Sequence, residues 1–141
     1  MNGTSISFDR LVDSYRRNAA SRYWIVEGAG GLLVPVNDQE FIADLMIRLH
    51  LPAIVVARTA LGTINHTLLT LEALRRRAVE VVGVVMVGRT EEGAAAAIAR
   101  YGKVEILGEL PFLGNVTCEA LAAWSPELDP ANRLIDRLSW T

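Results

Sequence analysis

Glu27 is followed directly by Gly28, Ala29, Gly30 and Gly31, the densest group of residues in this sequence that could do chemistry. A carboxylate is a hard oxygen ligand suited to magnesium, and glycines let backbone amides approach a phosphate with no side chain in the way. The spacing fits a turn facing a polyphosphate, and it fits equally an ordinary glycine turn with a solvated acid. A second run, Leu61-Gly62-Thr63-Ile64-Asn65-His66, stands where a helix should begin. The first amides of a helix lack partners within it and carry partial positive charge, so Gly62, Thr63 and Ile64 could receive a carboxylate or a phosphate. Asn65 and His66 fall in the first turn. No cysteine or carboxylate lies within four residues of His66, so a packed imidazole is expected there rather than a metal or nucleophile constellation. His50, just before Leu51-Pro52, reads as a helix-end cap.

What the sequence lacks narrows the chemistry further. Cys118 is the single cysteine, which rules out an internal disulfide or a site built from several thiolates, and it is expected to be a small buried apolar residue. Lys103 is the single lysine and sits in Gly102-Lys103-Val104. A phosphate-cradling loop needs Gly, four residues, then Gly-Lys and Ser or Thr. The 141 residues contain no such loop, and no mechanism needing two lysines can be completed by them alone.

The elements that would position these groups follow from the apolar pattern. Ser7 can cap a helix with a stripe of Phe8, Leu11, Val12 and Tyr15. Tyr23-Trp24-Ile25-Val26 reads as a short buried strand delivering Glu27 at its tip. Asp38 is a candidate cap for a second helix bearing Phe41, Ile42, Leu45, Met46 and Leu49, which Pro52 stops. Ala53 to Ala57 is a buried strand, Thr63 to about Arg77 a helix with Leu68, Leu71 and Leu74 on one side, and Val81 to Val87 a strand with Gly83 inside it. An alanine-rich helix from Glu91 to Tyr101, a strand Ile106 to Leu110 stopped by Pro111, and a terminal helix capped by Asp129 and running through Leu138 complete the pattern. Alternating apolar strands and helices predict one α/β domain over residues 1–141, a parallel sheet with helices on both faces and right-handed crossovers. Ligands in such sheets bind beyond the carboxyl ends of the strands.

Composition fits this frame. Residues are 51% hydrophobic and 21% charged, enough for a core. No apolar run approaches the roughly 18 residues of a membrane span, and residues 1–17 lack the pattern of a signal peptide, so the expected location is the cytoplasm. The net charge of -2 gives no global attraction to nucleic acid or acidic membranes. Arg75-Arg76-Arg77 is the only dense basic cluster and falls where a helix dipole would favour it.

Taken in order and spacing, the two runs resemble dethiobiotin synthetase. Ala43-Asp44-Leu45, Leu51-Pro52, the strand Ile54 to Ala57 and Leu107-Gly108-Glu109-Leu110-Pro111-Phe112-Leu113 follow that family's pattern as well, so the resemblance covers about residues 23–113. The chain is similar to the C-terminal part of the family, with its N-terminal phosphate-loop segment expected to be absent. The resemblance implies a partial P-loop-NTPase-like sheet and an ATP-dependent cyclo-ligase of biotin biosynthesis. Such an enzyme forms the ureido ring of dethiobiotin from 7,8-diaminononanoate and carbon dioxide.

By the same resemblance, Glu27 would hold magnesium, and Gly28, Ala29 and Gly30 would lie along the phosphates of ATP. Pro111, Phe112 and Leu113 would flank the nucleotide base. Leu61, Gly62, Thr63, Ile64 and Asn65 would serve the diamine substrate across a homodimer interface. The family's two catalytic lysines and a further magnesium-binding aspartate come from the segment before Tyr23. No catalytic residue is therefore expected within this chain, which alone should not be competent. Where the family places an asparagine that reads adenine, this chain has Val87, which offers no side-chain hydrogen bond. The alternative is a non-catalytic binding or assembly module of the same descent; a generic P-loop ATPase fragment leaves Leu61 to His66 unexplained. If early strands are missing, self-association through exposed sheet edges is expected.

Overall fold

The computed structural model describes residues 6–19, 24–89, 91 and 93–128. Its backbone packs into two compact units, Met1–Leu51 with Arg77–Val79, and Pro52–Arg76 with Glu80–Thr141.

The first unit holds helices α1 (Phe8–Ala19) and α2 (Ile42–Leu49). Phe8, Val12, Ala43 and Val79 are its buried apolar residues among those described, whereas Leu11, expected on the same stripe as Phe8 and Val12, is exposed. Arg48 of α2 pairs with Asp9 at 2.7 Å and with Glu40, and its guanidinium lies 5.7 Å from the centre of the Phe8 ring. The start of α2 departs from expectation. Asp44, not Asp38, reaches back to the Phe41 amide at 2.7 Å, because a residue three positions into a helix can satisfy the donor at its cap. Asn37 instead organises the preceding loop, accepting at Oδ1 from the amides of Gln39 and Glu40, both at 2.9 Å. His50 closes the helix in a left-handed conformation (φ 53°), its amide donating to the Ile47 carbonyl, as a terminal cap should.

The strand expected at residues 23–26 is not formed over its described part. Residues 24–28 have no regular structure, and Trp24, Ile25 and Val26 are exposed, Ile25 by 96%. Tyr23 lies outside the described residues. An apolar run becomes a strand only by sharing backbone hydrogen bonds with a neighbour, and the named sheet is made of other residues. Trp24 is held locally, its indole N–H donating to the Asn18 carbonyl at 3.2 Å.

The second unit is α/β. Strands β1 (Ala53–Arg58), β2 (Val81–Val87) and β3 (Ile106–Leu110) form a parallel sheet in the order β1-β2-β3. Helix α3 (Thr63–Arg76) joins the first two and α4 (Ala94–Gly102) the second two. Their core is Ala57, Leu71, Val84, Met86, Ala94 and Ile98, with Val55, Leu68 and Ile106 packed against it. Each large side chain buried there contributes about 1.5–3 kcal/mol. In α3 the buried residues are Thr63, Thr67, Leu71 and Leu74, a three-and-four spacing that fixes which side faces the sheet. On β1 the alternate residues Ile54 and Val56 are exposed. Gly83 leaves room for its neighbour on β3; a Cβ there would lie 2.5 Å from Leu107 Cγ.

Arg75 and Arg76 fall in the last turn of α3, as expected. Arg75 serves another helix as well: its Nη2 donates to the carbonyls of Gly102, at 2.5 Å, and Lys103, at 3.1 Å, at the end of α4. The side chain reaches across the unit to carbonyls that a helix end leaves without partners. A helix absent from the sequence reading, α5 (Cys118–Leu128), follows β3 and packs on it. It puts Cys118 in its exposed first turn rather than in a core. The terminal helix expected from Asp129 to Leu138 lies outside the described residues.

Candidate functional site

The carboxyl edge of the sheet gathers three of the expected segments. After β1 the chain runs through Thr59 and Ala60 to Leu61, which is fully exposed, and turns at Gly62 (φ +90°) into α3. The expected row of unpartnered amides is only partly present. The Thr63 amide donates to the Ala60 carbonyl at 2.9 Å and the Thr63 residue is buried, while Ile64 and Asn65 are exposed. His66 is exposed too, not packed. Its backbone amide donates to the Gly62 carbonyl at 3.0 Å, and its ring lies over that glycine, within 3.3 Å of where a Cβ would be. An imidazole lying along its own helix start needs no core to hold it.

At the tip of β2, Val87 is followed by Gly88 (φ +131°). The Val87 carbonyl accepts from the Thr59 amide at 2.9 Å and from the Thr59 hydroxyl at 3.3 Å. The Gly88 amide donates to the Leu110 carbonyl at 2.9 Å. Val87 is also the sheet partner of Leu110, so all three strand ends are tied by backbone bonds. Pro111, Phe112 and Leu113 emerge beside this knot, and Phe112 is 78% exposed. Arg58 and Arg89, next to the β1 and β2 tips, are exposed cations. Thr59 was missed in the sequence reading; the signal available was a hydroxyl residue one position after a buried strand.

Glu27, Gly28, Ala29 and Gly30 belong to the first unit and are all exposed. Gly28 lies against α2, where a Cβ would come within 2.7 Å of Ile42 Cγ2. Gly30 takes φ +84°, a conformation L side chains avoid. The chain then folds onto the start of α2, where the amides of Ile42 and Ala43 donate to the carbonyls of Val34, at 3.1 Å, and Leu32, at 3.0 Å. The acidic turn is thus anchored by the helix after it and not by a strand before it.

Among the described residues no three His, Cys, Asp or Glu side chains gather as a metal site. Glu27 supplies one carboxylate, which suits a magnesium ion that arrives already bound to phosphates and not one held by protein ligands alone. Lys103 caps α4 immediately before β3 begins. It therefore sits at the amino edge of the sheet, opposite the strand tips. No helix among the described residues is long and apolar enough to cross a membrane.

A family model described as an AAA domain matches residues 1–120. The chain is 52% identical over 102 residues to the ATP-dependent dethiobiotin synthetase of Paramagnetospirillum magneticum, covering 72% of this chain and 50% of that protein. It is 50% identical over 103 residues to the enzyme of the same name from Brucella ovis, covering 73% and 49%. It is 44% identical over 111 residues to the biotin biosynthesis bifunctional protein of Bordetella avium, covering 79% and 24%. The chain spans about half the length of the dethiobiotin synthetases it matches. It belongs to the AAA domain family, and within it is similar to the ATP-dependent dethiobiotin synthetases.

Proposed function

We propose that this chain is the C-terminal part of an ATP-dependent dethiobiotin synthetase, acting on ATP and a small-molecule diamine. The single observation that carries the reading is 52% identity over 102 residues to a protein of that name. The order of the two glycine-containing turns along the chain supports it.

In this reading Glu27 holds the magnesium that accompanies ATP, and the amides of Gly28, Ala29 and Gly30 line the phosphates. Magnesium, when bound, would offset phosphate charge. The turn Leu61, Gly62, Thr63, Ile64 and Asn65 receives the diamine, most naturally its far carboxylate at the start of α3. The full exposure of Leu61 suits a site completed by a second copy of the chain in a homodimer. Pro111, Phe112 and Leu113 flank the base. The chemistry requires two amines to be held around one carbon while phosphoryl charge is neutralised. In this reading the cationic part of the site comes from a phosphate-loop segment outside these 141 residues, which hold one lysine, Lys103, and no such loop. The expected compartment is the cytoplasm.

The test is reconstitution. The chain alone should bind magnesium-ATP weakly, and adding a phosphate-loop segment from a related synthetase should restore dethiobiotin formation from 7,8-diaminononanoate, carbon dioxide and ATP. Glu27→Ala in the reconstituted pair should lower turnover by about 100-fold, the scale of losing an electrostatic contact to the reacting phosphates. Undiminished turnover removes the role assigned to Glu27. The position of the only lysine favours one second reading, a non-catalytic binding or assembly module, which predicts no rescue at all.

A further inference from the structure

We propose that the amino edge of the second unit, where α3 and α4 end side by side, is a docking surface for a carboxylate-rich segment of a partner protein. Gly102, the last residue of α4, has no side chain, and a Cβ there would lie 2.8 Å from Leu71 Cδ1 and 3.2 Å from Leu68 Cδ2 of α3. Arg75 spans the same junction to the Gly102 and Lys103 carbonyls. The two helix ends are thereby pinned together, and Arg75, Arg76, Arg100 and Lys103, all exposed, share one patch. The partners of Arg75 are uncharged carbonyls. Arg76 pairs with Glu72 at 2.7 Å, with both side chains more than half exposed, and an exposed pair of this kind is weak enough for an incoming carboxylate to replace. Of the other acids nearby, Glu105 is half-buried, and Glu80 lies toward β1, where its carbonyl meets the Ala53 amide. Four cations therefore outnumber the carboxylates beside them.

The residue types select the partner. Guanidinium forks match carboxylates with two parallel hydrogen bonds. The Arg100 guanidinium lies over the Tyr101 ring, 5.3 Å from its centre, and that ring is 64% exposed. Arginine and tyrosine are the side chains that carry much of the energy of protein interfaces. Nucleic acid fits less well: a duplex engages about 6–10 phosphates, more than four cations serve, and the net charge of -2 repels a long polyanion. Packed helices lie about 8–10 Å apart, and an extended chain advances about 3.3 Å per residue. Acids three residues apart therefore reach both helix ends at once. The patch faces away from the strand tips, so its occupant leaves the carboxyl edge of the sheet open.

The experiment titrates the 15N-labelled chain with a peptide whose three glutamates are separated by Gly-Ser pairs, and with a control peptide carrying glutamines in their place. The glutamate peptide should move the amide signals of Arg100, Tyr101 and Lys103, and the glutamine peptide should leave them still. Raising salt from about 50 mM to about 500 mM should weaken binding by about tenfold. Arg100→Gln combined with Lys103→Gly removes two charges and leaves at position 103 a residue at ease with φ 47°. That pair should weaken binding by about fivefold, whereas Lys103→Arg should keep it. If the double variant melts lower, Arg100→Gln alone, on exposed surface, should still weaken binding by about twofold. Undiminished binding by these charge-removed variants overturns the inference, as does silence of the three signals with the glutamate peptide. An eight-residue oligothymidylate that moves the same signals at lower concentration than the peptide overturns it in favour of nucleic acid.

Discussion

Thr59 donates twice to one acceptor, its amide at 2.9 Å and its hydroxyl at 3.3 Å both meeting the carbonyl of Val87. The pair joins the loop after β1 to the tip of β2 and leaves a slot that only hydrogen fits. A Cβ on Gly88 would stand 2.3 Å from Thr59 Oγ1.

Gly88→Ala combines that clash with a φ of +131° and should lower stability by about 2–3 kcal/mol, read as a fall in the denaturant midpoint. Adding Thr59→Ala removes the clash and keeps the strained dihedral, so it should recover only part of the loss. Thr59→Val alone should cost about 1 kcal/mol, the usual worth of one hydrogen bond. An unchanged midpoint for Gly88→Ala would contradict this geometry.

Gly83→Ala presses a methyl group into Leu107, 2.5 Å from its Cγ. A loss of about 1–3 kcal/mol is expected. Combining it with Leu107→Ala should be less harmful than the sum of the two, by at least about 0.5 kcal/mol, because the clash is shared. Strict additivity in that double-mutant cycle would count against direct contact.

Arg48 pairs with Asp9 and Glu40 and lies over Phe8, but its side chain is 42% exposed, so screening by water limits the ion pairs. Arg48→Ala should cost about 1 kcal/mol at low ionic strength. Much of that should vanish near about 1 M salt, leaving the ring contact. A loss independent of salt would assign the effect to packing alone.

At the start of α5, Glu119 has its carboxyl held below its ordinary value of 4.5, first by its own backbone amide and then by the Thr117 hydroxyl. A depressed folded value means the ionised form is the one favoured by folding. The contribution is thus complete above the ordinary value and disappears as pH falls through the lowered one. Helical signal from α5 should fray in that acid window, followed by amide exchange at Ala120 and Leu121. Glu119→Gln should flatten the dependence.

Val56 is 65% exposed on β1, an outer strand of the three, beside the exposed Ile54. An apolar edge of this kind invites pairing with another chain. Sedimentation should reveal concentration-dependent association of the isolated chain, and Val56→Lys should reduce it. A monodisperse monomer at high concentration would remove the expectation.

The β-α-β order was legible because continuous apolar runs such as Ala53 to Ala57 and Val81 to Val87 have few other uses, and the helix-end cap at His50 was legible from the proline two residues on. Trp24-Ile25-Val26 misled for the complementary reason: local apolarity makes a strand possible, but only a neighbouring backbone makes it form. Helix α5 was hidden by Pro126 inside it. Thr117 caps its start, accepting from the Ala120 amide at 3.2 Å. At the candidate site the glycines were readable one by one. The twofold bond from Thr59 was not, since it joins residues 28 apart in sequence and depends on strand register.

The knot at the strand ends uses main-chain atoms almost throughout. Side chains at Arg58, Arg89 and Phe112 therefore carry little of the framework and stand free for exchange. A library randomised at those three positions should keep its melting behaviour while its ligand preferences diverge, which makes this rim a natural place for recognition to be rewritten, in the laboratory or by descent.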